Sequence, residues 1–104
     1  VRVVRSDGPG MVRLALHGEL DLATADLAGR HIAVALDTIP AGGPPLLVLD
    51  VAGLTFCDSA GIDVLLGGRA GAQAREVDFR VVGARGIVRR SMAATGVLTL
   101  LTTA

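Results

Sequence analysis

Leu46-Leu47-Val48-Leu49-Asp50-Val51, running on through Ala52-Gly53-Leu54-Thr55-Phe56-Cys57 into Asp58-Ser59-Ala60-Gly61-Ile62, is the stretch from which the rest of the chain can be read. Residues 46–51 are almost continuously apolar, the pattern of a strand covered on both faces, as at the centre of a parallel sheet. Residues 52–58 are expected to lead from that strand into a helix. Asp58 and Ser59 mark its start, and Ile62, Leu65, Leu66 and Ala70 supply its apolar stripe. Upstream, Val12, Leu14 and Leu16 alternate with Arg13, Ala15 and His17, which predicts a strand with one buried face. Val1 to Arg5 is its expected hairpin partner across the turn residues 6–10. Thr24 is a candidate N-cap for a helix carried by Ala25, Ala28, Ile32, Ala35 and Ile39 and stopped by Pro40. Downstream, Val77, Phe79 and Val81 predict another strand, residues 83–86 a turn, and residues 87–95 a third helix ending at Gly96. The tail 97–101 reads equally as a strand or a short helix. The order ββαβαβα specifies one α/β domain over residues 1–104, with right-handed crossovers between parallel strands.

Composition narrows the function. The chain has 104 residues, 51% of them hydrophobic, which is enough for one core and too few residues for two ordinary domains. Two Phe and no Trp or Tyr leave no stacking platform for bases, and ten Arg against ten Asp plus Glu leave no net attraction for a phosphate backbone. Nucleic acid is therefore not an expected partner. One cysteine, Cys57, makes no internal disulfide and no metal or redox pair. No apolar run reaches the length that spans a bilayer, so a cytoplasmic protein without membrane insertion is expected.

Two short pieces carry the candidate chemistry. Asp58-Ser59-Ala60-Gly61 lies where a strand turns into a helix, and a helix N-terminus presents free N–H groups and partial positive charge. Its local sequence permits two roles: a plain cap contributing about 1 kcal/mol, or a place where an anion, such as a phosphate on Ser59, is tolerated. Gly18-Glu19-Leu20-Asp21-Leu22-Ala23-Thr24 ends the preceding strand and also reads as a turn with a cap.

Together these pieces resemble the two recurrent motifs of the anti-sigma factor antagonist (STAS) family. Leu46-Leu47-Val48-Leu49-Asp50, Val81-Val82-Gly83, Val88-Arg89-Arg90 and Thr95-Gly96 match in the family's order, so the likeness covers nearly the whole chain. The resemblance implies a small mixed sheet of four or five strands with helices packed against it. It also implies that Ser59 is the phosphorylated serine, and that Asp21, Thr24, Asp58, Ser59, Ala60, Gly61, Ile62 and Asp63 form the partner-binding region. The implied partner is an anti-sigma factor serine/threonine kinase of the histidine-kinase-like ATPase type, with a metal-dependent serine phosphatase to reset the switch. ATP and Mg²⁺ then belong to the partner, and no cofactor is expected here. Asp63 and Glu76 depart from the family pattern. Asp63 is expected to complement the helix dipole, and Glu76 stands at a turn where Gly is common.

Three other functions compete with this reading. A serine hydrolase would need G-x-S-x-G, but Cys57 stands at the first Gly, and only His17 and His31 are available as a base. Both histidines read as surface or boundary residues. Gly83-Ala84-Arg85-Gly86 lacks a full glycine pattern and is a weak signal for a nucleotide. STAS domains also serve as regulatory parts of anion transporters, lipid-transport complexes and stress-signalling assemblies, and this remains the alternative within the fold.

Overall fold

The computed structural model describes residues 1–102, with only the backbone considered at residues 100 and 102. Four strands form one mixed sheet in the order β1-β2-β3-β4: β1 Arg2–Gly8, β2 Met11–Leu20, β3 Leu46–Cys57 and β4 Asp78–Val82. The sheet is joined by α1 Ala25–Asp37 and α2 Ser59–Ala74, and followed by α3 Gly86–Ala94 and α4 Leu98–Thr102. The tail therefore ends as a short helix. β1 pairs antiparallel with β2 through the expected hairpin, and β2–β3 and β3–β4 are parallel. A four-stranded mixed sheet agrees with the fold expected from the sequence.

Alternation sorts the side chains onto two faces. Val12, Leu14 and Leu16 of β2, Leu47, Leu49 and Val51 of β3 and Val81 of β4 point to the helices and join one aliphatic core with Ala28, Ile32, Leu65, Val88, Met92 and Leu101. Leu14, Leu16, Leu47, Leu49 and Leu65 are each essentially inaccessible to solvent. Burying one such side chain stabilises the fold by about 1.5–3 kcal/mol, so aliphatic packing replaces the aromatic residues this chain lacks.

Three element boundaries differ from the sequence reading. β1 runs past Arg5 to Gly8, so residues 6–8, expected as turn, pair with β2 and only Pro9 and Gly10 turn the chain. β3 does not end at Val51; it continues to Cys57, and residues 52–57 are strand rather than connection. Its pairing with β2 slips between Ala15 and His17 and again between Gly18 and Glu19, so the buried positions there are Val51, Leu54 and Cys57, three residues apart. Those bulges destroy the period-2 signal by which a strand is recognised. Gly53 sits in the slipped region because a Cβ there would fall 2.3 Å from His17 Nδ1. α1 stops at Asp37, with Thr38 as C-cap, so Ile39 lies beyond it and Leu36 takes the final core position.

Asp50 ties the parallel strands together on the helix-free face. Its carboxylate accepts from Arg13 Nη2 at 2.6 Å and from the Ala52 N–H at 2.9 Å. The Ala52 bond, followed by the Arg13 contact, holds the Asp50 carboxyl below its usual pKa despite partial burial. Stability from this group is thus present above the ordinary carboxylate pKa and is lost as pH falls through the lower folded value.

The end of α2 supplies the first prediction. Glu76 follows the C-cap residue Arg75 and has φ +56°, a left-handed conformation that disfavours a side chain with a Cβ. Glu76→Gly is expected to raise stability by about 1 kcal/mol, and so the melting temperature by about 4–8 °C. Thermal unfolding followed by circular dichroism measures this. An unchanged or lowered midpoint would contradict it.

Candidate functional site

The two sequence motifs meet at the C-terminal ends of β2 and β3, where Leu20 pairs with Cys57. The Asp58 N–H donates to the Leu20 carbonyl at 3.3 Å, which draws the start of α2 onto the end of β2. Asp58 is the N-cap: its Oδ1 accepts from the Gly61 N–H at 3.0 Å, and its carbonyl accepts from the Ile62 N–H at 2.9 Å. Ser59 is thereby the first residue of α2, and it is exposed. Neither its hydroxyl nor its N–H has a hydrogen-bond partner among the described residues, as expected at a helix start.

Gly61 explains how close this approach is. A Cβ at that position would lie 2.5 Å from the Leu20 carbonyl oxygen, 2.8 Å from Cys57 Sγ and 3.0 Å from Leu20 Cγ. Only a residue without a side chain lets the helix start so near the strand end. Beneath it, Cys57 is buried, and burial followed by the nearby Asp58 charge pushes its thiol up to about 11. The folded protein is therefore expected to lose stability as pH rises from about 9 toward 11, because the unfolded thiol ionises first. Cys57→Ala is expected to flatten that alkaline decline, as followed by urea titrations across the range. An identical decline in the variant would contradict it.

The loop after β2 is a reciprocal turn. The Asp21 N–H donates to Thr24 Oγ1 at 3.0 Å, and the Thr24 N–H donates to Asp21 Oδ1 at 3.1 Å. Thr24 occupies the N-cap position of α1, but its side chain caps nothing; the hydroxyl turns back toward Asp21 and the Glu19 carbonyl. That is a correction to the capping role read for Thr24, and it arises because Asp21 competes for the same hydroxyl.

The eight residues expected to bind a partner do not all face outward. Ser59 and Asp63 are exposed, and Asp21, Thr24, Asp58 and Ala60 are half-buried at the rim. Gly61 and Ile62 are buried, so their side of the helix shapes the turn and offers no surface. Asp63 is the fifth residue of α2, past the first turn, where the dipole effect has faded; the dipole role read for it from sequence does not hold. Two apolar residues were missed: Leu22, 82% exposed in the loop after β2, and Phe56, 40% exposed beside Glu19 at the end of β3. Leu22 falls outside any helical or strand period, and Phe56 lies in the slipped part of β3, so neither carried a readable signal.

His17 lies against Gly53, His31 is exposed on α1, and neither bonds to Ser59 among the described residues. No three His, Cys, Asp or Glu side chains among the described residues gather as a metal site. No helix among them is long and apolar enough to cross a membrane.

The family model described as "Mlab, STAS domain" matches residues 4–102. The chain belongs to the STAS domain family. Among solved structures, an anti-sigma factor antagonist from Mycobacterium paratuberculosis is similar at 28% identity and TM-score 0.81, covering 96% of this chain and 81% of that one. The anti-sigma factor antagonist SpoIIAA in its unphosphorylated form is similar at 19% identity and TM-score 0.78, covering 97% and 86%. A sulfate transporter family protein from Wolinella succinogenes shares the fold at 16% identity and TM-score 0.71, covering 92% and 75%. No curated protein sequence matches the chain. This STAS domain thus has anti-sigma factor antagonists among its structural neighbours, and its Asp58–Gly61 turn is where its two motifs converge.

Proposed function

We propose that this STAS domain is an anti-sigma factor antagonist, not an enzyme, which acts in the cytoplasm and is switched by reversible phosphorylation of Ser59. With Ser59 unmodified, the domain binds an anti-sigma factor serine/threonine kinase through the rim formed by Asp21, Thr24, Asp58, Ser59, Ala60 and Asp63, and a sigma factor held by that kinase is freed. Gly61 and Ile62 contribute by setting the turn. The observation that carries this reading is the exposed Ser59 hydroxyl at the first position of α2, fixed there by an Asp58 cap.

The chemistry at this end is simple. Ser59 Oγ attacks the terminal phosphorus of ATP held by the partner, the bond to ADP breaks, and the hydroxyl proton passes to a base of the partner. The phosphate gains the unpaired N–H groups and partial positive charge of the helix start, so the domain itself tolerates it. A bound partner does not tolerate it equally. The added charge of about −1.5 to −2 lies near Asp21, Asp58 and Asp63, and must be desolvated in any interface formed there. A metal-dependent serine phosphatase restores the hydroxyl.

The test is phosphate transfer from ATP and Mg²⁺ by candidate anti-sigma kinases, with the modified residue located by mass spectrometry. The reading expects one phosphate, on Ser59, and none in Ser59→Ala. Transfer to another residue, or hydrolysis of an ester substrate lost in Ser59→Ala, would overturn it.

A further inference from the structure

We propose that the helix-free face of the sheet is a second docking surface, which receives one amphipathic helix of another protein bearing acidic side chains beside its apolar stripe. The surface goes beyond the switch and does not depend on it, because Ser59 starts α2 on the opposite, helix-covered side.

Alternation and register define the face. The row Val4–Ala15–Asp50–Val82 crosses all four strands, and the row Ser6–Arg13–Val48–Arg80 lies next to it. None of Val4, Ala15, Val48 and Val82 belongs to the hydrophobic core, although Val48 is only 8% exposed, and Val4 is 45% exposed. Val4 is thus exposed and Ala15 and Val82 half-buried on a face that the core does not include, with Val48 buried beneath them. Four strands spaced about 4.8 Å apart give a face about 14 Å wide, which accepts a single helix of about 10–12 Å diameter and not a pair.

Charge selects the occupant. Arg2, Arg13 and Arg80 stand on this face, against Asp50 and, at its corner, Asp78. Asp50 is taken by Arg13 and the Ala52 N–H, whereas Arg2, Arg80 and the corner residue Asp78 are exposed and their side chains have no hydrogen bond or ion pair among the described residues, which leaves one positive charge in excess. The face is therefore positive on a chain whose formal net charge is zero. A second copy would bring the same positive face and is disfavoured; a partner with carboxylates flanking an apolar stripe meets both features.

The probe is a synthetic amphipathic helical peptide of about 16 residues, four turns or so, with a Leu stripe flanked by Glu, set against the same peptide with Lys in place of Glu. Amide spectra of the isotope-labelled full chain are recorded during titration. Shifts are expected along Val4, Ala15, Val48 and Val82 and not along α1 and α2, with the Glu peptide binding about tenfold or more tightly than the Lys peptide. Arg80→Glu, an exposed change that leaves the core intact, is expected to remove that preference, and Ser59→Asp to leave it unchanged. Equal affinity for the two peptides, shifts centred on α1 and α2, or the same shifts produced by raising protein concentration without peptide would overturn the proposal.

Discussion

Ser59→Asp is expected to weaken binding to the anti-sigma kinase by more than about a hundredfold, while Ser59→Ala binds nearly as the unmodified chain does. A hundredfold loss corresponds to about 2.7 kcal/mol, and two effects acting together supply it. One is the desolvation of a new charge at a contact surface; the other is repulsion from the carboxylates already there, since Asp58 and Asp21 belong to the two motifs that meet at the ends of β2 and β3, and exposed Asp63 follows four residues after Ser59. The same substitution is expected to leave the melting temperature unchanged or raised by at most about 8 °C, because a carboxylate in the first turn complements the helix dipole by about 0.3–1 kcal/mol. Calorimetric titration with the kinase, beside thermal unfolding of each variant, separates the two effects. Equal affinity of Ser59→Asp and the parent would refute the switch, whereas a large fall in melting temperature would show that Ser59 serves the fold.

Gly61→Ala carries the largest expected effect on stability. The added methyl would sit 2.5 Å from the Leu20 carbonyl oxygen, which is backbone and cannot rotate aside, and 2.8 Å from Cys57 Sγ. Relieving the clash moves the start of α2 off the end of β2 and strains the Asp58 N–H to Leu20 carbonyl bond. Overpacking of this kind costs about 1–3 kcal/mol, and with backbone as the obstacle the upper end is expected, lowering the melting temperature by about 10–20 °C. Gly67 gives the control. It lies in the same helix with nothing within 4 Å of a Cβ, so Gly67→Ala is expected to stabilise by up to about 1 kcal/mol through helix propensity. If both alanines shifted stability alike, the close approach at Gly61 would not be what holds this turn.

The fold was legible where one physical signal dominated. Val12, Leu14 and Leu16 point to one buried face, and the β1–β2 register runs past them unbroken, so β2 could be read from its alternation. Pro9 and Gly10 make the turn of the hairpin, and Pro40 lies just beyond the end of α1, as their backbone chemistry requires. β3 was only half legible, because two bulges spread its buried residues to Val51, Leu54 and Cys57, a spacing that no simple strand has. The last element was open in the sequence because α4 has five residues, too few for periodicity to distinguish helix from strand.

The candidate site was legible as motifs and not as a surface. Asp58 and Ser59 announce a helix start by residue type, but that Asp58 caps and Ser59 is free depends on which side-chain oxygen reaches the Gly61 N–H. Gly61 and Ile62 belong to the same motif, yet their inward orientation follows from α2 packing against Leu20 and Cys57. Leu22 and Phe56 become visible only once the ends of β2 and β3 are placed side by side, since their exposure is a property of the assembled sheet.

The most direct measurement compares the chain carrying one phosphate on Ser59 with the unmodified chain, by kinase affinity and by amide spectrum on the same samples. The account predicts spectral changes confined to residues near the start of α2 and the loop after β2, an intact sheet, and affinity lower by more than about a hundredfold. Retained affinity, or affinity lost only because the whole spectrum has changed, would contradict it.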